Sequence, residues 1–94
     1  MPDPALVAAH VRRLDPDARA AVVADCVTAA GVAAERDGTT VRVRRAGRER
    51  RLSTVPDPEA DRVLSPAAVR DVLLYRVARP DGDRIAERHL GAPL

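Results

Sequence analysis

Apolar residues first recur at helical spacing. Leu6, Val7, Val11 and Leu14 do so across residues 4–13, and Val22, Val23, Cys26, Val27 and Ala30 across 16–30. Three- and four-residue steps line one side of a helix. Past Gly31, which suits a left-handed helix stop, the period falls to two. Val32 to Arg36 reads as a short strand, Asp37-Gly38 as a tight turn, and Thr39-Thr40-Val41-Arg42-Val43-Arg44 alternates as a half-buried strand does. Ala46-Gly47 turns the chain again, and residues 48–55 return. The predicted strands are therefore 32–36, 39–45 and 48–55.

Helical spacing then resumes. Val69, Val72, Leu73 and Val77 predict a helix over 66–78 that must stop before Pro80. Residues 73–77 also fit a strand, but the Ser65-Pro66 start favours the helix. A last helix over 82–90 begins at Asp81, buries Ile85 and Ala86 together with His89, and ends at Gly91. Helix starts are marked by Asp3-Pro4, Asp15-Pro16, Asp57-Pro58 and Ser65-Pro66. In each, a side-chain oxygen can accept an orphan N–H, and proline at the first position gives up no bond. Residues 56–64 read as a proline-punctuated connection with room for one helical turn.

A two-residue turn at Ala46-Gly47 sets a register. Val41 then faces Leu52, Val43 faces Arg50, and Arg44 faces Glu49. Val41, Val43 and Leu52 share the core side, Arg42, Arg44 and Arg51 the opposite side, and Arg45, Arg48 and Arg50 crowd the tip.

Composition sharpens this picture. All 16 cationic residues are arginine, so arginine stands wherever another chain would carry lysine. Net charge is only +2, yet residues 36–55 hold seven arginines against Asp37 and Glu49, while the flanking segments are slightly acidic. Tyr75 is the only aromatic residue and alanine supplies much of the apolar content. At ~25 cal/mol per Å² of buried apolar surface, such a core leaves a thin margin, and self-association is one source of added stability. A single cysteine, Cys26, excludes an internal disulfide and fits a reducing compartment. No apolar run reaches the ~20 residues of a membrane span, and the start of the chain lacks a basic leader. The protein reads as cytoplasmic, with no membrane partner.

Catalytic constellations do not assemble. Cys26 lies in an apolar stripe with no adjacent His or cation. His10 and His89 sit at opposite ends of the chain without further ligands at metal-binding spacing. Asp81-Gly82-Asp83 opens like a calcium loop, but the later ligands do not follow, and helix capping accounts for both acids. There is no phosphate-cradling glycine loop or nucleophile elbow. A winged helix-turn-helix would need the helix over 16–30 to read bases, and it offers Arg19 alone beside Asp17 and Asp25.

The segments Ala30-Gly31-Val32, Arg36-Asp37-Gly38, Val41-Arg42-Val43-Arg44-Arg45 and Arg51-Leu52 follow one another in the order helix, strand, strand, strand. That order resembles the opening of the restriction-endonuclease-like fold, including Mrr-type nucleases. The resemblance implies metal-dependent DNA cleavage by an Asp and an Asp/Glu-x-Lys motif on the next strand. This chain departs from the motif: residues 41–45 contain no acid, and Glu49-Arg50-Arg51 has arginine where lysine belongs. What the resemblance implies is a degenerate, non-cleaving relative.

The sequence therefore predicts one α+β domain over residues 1–94, a three-stranded antiparallel sheet packed by four helices. Its expected role is a non-enzymatic binding module in which Arg42, Arg44, Arg45, Arg48, Arg50 and Arg51 contact the backbone of DNA or RNA. No cofactor, metal or small-molecule ligand is implied. One alternative is a protein-interaction or homodimeric adaptor, with an acidic protein or a second copy as partner and Leu74 and Tyr75 exposed. Another is a solvated charged sheet that deters edge pairing. The discriminating feature is whether Asp57, Glu59 and Asp61 fold back onto the arginines.

Overall fold

A computed structural model describes residues 3–91. Among them run α1 (Pro4–Arg13), α2 (Pro16–Ala29), β1 (Ala33–Asp37), β2 (Thr40–Arg45), β3 (Arg48–Ser53), β4 (Arg62–Val63), α3 (Pro66–Val77) and α4 (Asp83–Leu90). The class is α+β, with four described helices and a four-stranded sheet in the order β1-β2-β3-β4. None of the described helices is long and apolar enough to cross a membrane.

Three helices start where capping chemistry placed them. Asp3 accepts from the N–H of Ala5 at 2.9 Å, Asp15 from Ala18 at 2.7 Å, and Ser65 from Ala68 at 3.2 Å. Proline occupies the first helical position each time. The fourth such pair, Asp57-Pro58, starts no helix. Asp57 instead accepts from Glu59 N–H two residues on, and the Ala60 N–H closes a turn onto its carbonyl. An Asx side chain stabilises either conformation locally.

That turn sends the chain back along β3, and the predicted three-stranded sheet gains a strand. β4 pairs parallel with β3, so the sheet is mixed rather than purely antiparallel. Asp61 N–H donates to Arg51 O at 2.8 Å, and Leu64 N–H to Ser53 O at 2.7 Å. A two-residue strand is too short to print a period on the sequence.

The helices pack on one another and, through α2, on the sheet. α3 is central, packed on α1 and α2, while α2 also covers β1 and β2. One buried cluster joins them: Val7 and Val11, Val22, Val23 and Cys26, Val41, Leu64, Val69 and Leu73, and Ile85. Two assignments are corrected. Leu6 is 70% exposed, because Val7 and Val11 take the inward positions of α1. Leu74 is half-buried against the core, leaving Tyr75 exposed beneath the Arg79 guanidinium, 3.9 Å from the ring centroid. Residues 73–77 are helical.

Candidate nucleic-acid interface

The hairpin has the register its turn dictates. Val41 faces Leu52, Val43 faces Arg50, Arg44 faces Glu49, and Arg45 faces Arg48. Ala46 and Gly47 form the two-residue connection with φ of 52° and 75°. Two positive values match the right-handed twist of the strands they join. Ala46 is the only described non-glycine residue to adopt one.

Alternation divides the six arginines into two sets. Arg42, Arg44 and Arg51 stand on the face away from the helices, and each has a carboxylate. Arg42 pairs with Glu35 of β1 at 3.1 Å, Arg44 with Glu49 at 3.3 Å, and Arg51 with Glu59 at 3.5 Å. Asp61 accepts from the backbone N–H of Arg51 at 2.7 Å. Of the three acids after β3, Glu59 thus meets an arginine side chain, Asp61 caps the backbone, and Asp57 serves its own turn. All three ion pairs are solvent-exposed, so each contributes only ~0–1 kcal/mol. Arg42 lies directly opposite Arg51, and the flanking Glu35 and Glu59 relieve that repulsion.

Arg45, Arg48 and Arg50 share the other face, at the turn end of the hairpin. All three are exposed, and none makes an ion pair with a described residue. Like charges set directly across two strands disfavour the pairing. The Arg45–Arg48 pair carries that cost with no ion pair to relieve it, because Glu49 beside it points to the other face and holds Arg44.

A second polar cluster links sites far apart in the chain. Asp25 of α2 accepts from Arg88 Nη1 at 3.2 Å and from His89 Nε2 at 3.0 Å, tying α4 to α2. Arg76 is buried on α3 and pairs with Asp81. This removes Asp81 from capping, and α4 instead begins after Gly82 with no side-chain cap. Burial pushes the Cys26 thiol up to about 12, with Asp25 adding to the rise and Arg76 opposing it. Such a thiol packs and does not attack. Among the described residues no three His, Cys, Asp or Glu side chains gather as metal ligands.

Burial also lowers the pKa of His89 from its ordinary 6.5. The Asp25 charge and hydrogen bond oppose this, while Arg88 and His10 reinforce it. The folded state therefore favours the neutral ring. Below pH 6.5 the unfolded chain binds the proton first, so this contribution is complete above 6.5 and fades as pH falls. Urea midpoints are expected to drop between pH 7.5 and 5.5, and His89→Gln is expected to flatten the decline. Parallel pH profiles for the two proteins would refute the link.

No protein-family model matches the chain, no curated protein matches its sequence, and no solved structure matches its fold.

Proposed function

We propose that the protein is a non-enzymatic binding module whose hairpin tip contacts the phosphate backbone of a nucleic acid. The observation that carries this reading is the set Arg45, Arg48 and Arg50: three exposed guanidiniums on one face, two of them directly opposed, without an acid. A phosphate oxygen relieves that repulsion and accepts bidentate hydrogen bonds. Arg42, Arg44 and Arg51 are secondary contacts, because phosphate must first displace Glu35, Glu49 or Glu59. Backbone contact positions a protein without reading bases, which fits a hairpin lacking aromatic and amide side chains.

Salt titration of binding to duplex and single-stranded DNA and to RNA tests the proposal. On duplex DNA each neutralised phosphate contributes a log–log slope of roughly −0.9. Replacing Arg45, Arg48 and Arg50 by Ala is expected to remove most low-salt affinity and to flatten the slope by about 2–3. The same change at Arg42, Arg44 and Arg51 is expected to weaken binding less. The reading fails if the natural chain shows no binding at low salt, or if the tip variant binds unchanged.

A second reading is favoured by the observed order of α2, β1, β2 and β3, which is the order that resembles restriction-endonuclease-like folds. On it, the chain is a non-cleaving relative that keeps DNA contact without the metal-binding acids.

A further inference from the structure

The sheet has one substantial open edge. β4 at one side is two residues long, whereas β1 at the other has five, all exposed except half-buried Ala34. β2 pairs with only one side of β1. No described loop or helix donates to or accepts from the backbone of residues 33–37 on the other side. A row of alternate N–H and C=O groups is therefore available to an extended chain.

One cleft opens on this edge, and a second adjoins it at Thr28. One, of about 310 Å³, is walled by Thr28, Ala33, Ala34, Glu35, Arg42 and Arg44. The other, of about 280 Å³, runs along α4 and has Arg76, Arg84 and Arg88 in its wall with Asp25 and Asp81. Thr28, in the last turn of α2, borders both. The short Ala33 side chain keeps the way open between the edge and the guanidiniums. Together the two linings hold five arginines and three acids. Each of those acids already has an arginine partner and Arg44 pairs with Glu49, so Arg84 alone among the five arginines makes no described ion pair.

We propose that β1 is a docking edge for an extended acidic segment of another protein, which adds to the sheet as a fifth strand and sets its carboxylates toward Arg84 and, in exchange for Glu49, toward Arg44. The edge asks for a ligand with alternating backbone donors and acceptors, which a nucleic acid lacks. A second copy of this chain fits poorly. Antiparallel pairing of two β1 strands about Glu35 or Arg36 sets like charges directly opposite each other. This surface is distinct from the hairpin tip and does not depend on its function.

Selection of a random dodecapeptide display library against the full chain tests the proposal. Enriched peptides are expected to be acidic and to alternate with β-branched residues. A synthetic enriched peptide should slow amide exchange across residues 33–37. N-methylating its alternate amides should abolish binding without touching the protein. Arg44→Glu and Arg84→Glu, one in each cleft, should each weaken binding about tenfold, whereas the tip variant should retain it. The proposal is overturned by no enrichment, by enrichment of basic peptides, by equal binding of the N-methylated peptide, or by protection confined elsewhere. Protection of 33–37 that rises with protein concentration alone would assign the edge to self-pairing instead.

Discussion

Leu73→Ala is expected to lower the free energy of unfolding by about 2–5 kcal/mol. Leu73 has no exposed surface and is among the largest fully buried side chains. It projects from α3, the helix packed on both α1 and α2. Few residues stand ready to fill the void, because most of its buried neighbours are Val or Ala, whose rotamers cannot reach far. A domain of this size has a total stability of roughly 5–15 kcal/mol, so this one truncation removes much of it. Urea denaturation at constant m-value is the measurement. Leu6→Ala is the matched control. Leu6 also sits in an apolar helical repeat, yet it is 70% exposed, and its truncation should stay within about 0.5 kcal/mol. Equal costs for the two changes would mean that the packing of α3 is wrongly described.

The contrast between Leu6 and Leu73 shows what periodicity carries. Spacing located both helices, but Leu6 and Val7 are adjacent and a helix can turn only one fully inward. The selection is made by α3, an element distant in sequence. Leu74 shows the same effect in reverse, since it is drawn against the core while Tyr75 is left outside. Starts marked by Asp-Pro and Ser-Pro were legible because the cap is a local bond, formed within three residues. Asp57-Pro58 misled for the same reason: the local bond is made, but no apolar repeat follows to hold a helix.

At the hairpin, the turn made the register legible. A two-residue connection leaves no freedom in strand pairing, so every cross-strand partner of the arginines followed. Of their acid partners, that register gave only Glu49, opposite Arg44. Glu35 reaches Arg42 through the β1–β2 pairing, and Glu59 reaches Arg51 only because β4 draws the loop back. Asp25 and His89 are 64 positions apart, and nothing local announces their contact. Arg76 did leave a signal. It stands three residues after Leu73 and seven after Val69, on the buried stripe of α3, where a charge must find a partner. Asp81 is that partner, which is why it does not cap α4.

The entry to α4 carries the second large effect. Gly82→Ala is expected to destabilise the protein by about 1–3 kcal/mol, with α4 released first. The backbone at Gly82 has φ −68° and ψ −18°, a conformation open to any residue. The obstacle is space. An added Cβ would overlap the carbonyl oxygen of Val77 and lie 2.6 Å from its carbonyl carbon and 2.7 Å from its Cα. These are backbone atoms at the end of α3, so no rotamer change relieves the overlap and α4 itself must move. What holds α4 is modest: burial of Ile85 and Ala86, the Arg76–Asp81 pair beside its start, and the contact of Arg88 and His89 with Asp25. Native-state amide exchange should therefore speed up across 83–90 while 66–77 stays protected. Gly91→Ala is the comparison, because that glycine has φ 78° but open space around its Cβ position; its cost is conformational, about 1 kcal/mol, and confined to the helix end. Displacing α4 also shifts Arg84 and Arg88 in the cleft they share with Thr28, so Gly82→Ala should weaken acidic-peptide docking. No described hydrogen bond or ion pair joins the hairpin tip to α4, and its salt-dependent binding should persist. Wild-type stability with full protection of α4 in Gly82→Ala would contradict the close approach of the two helices.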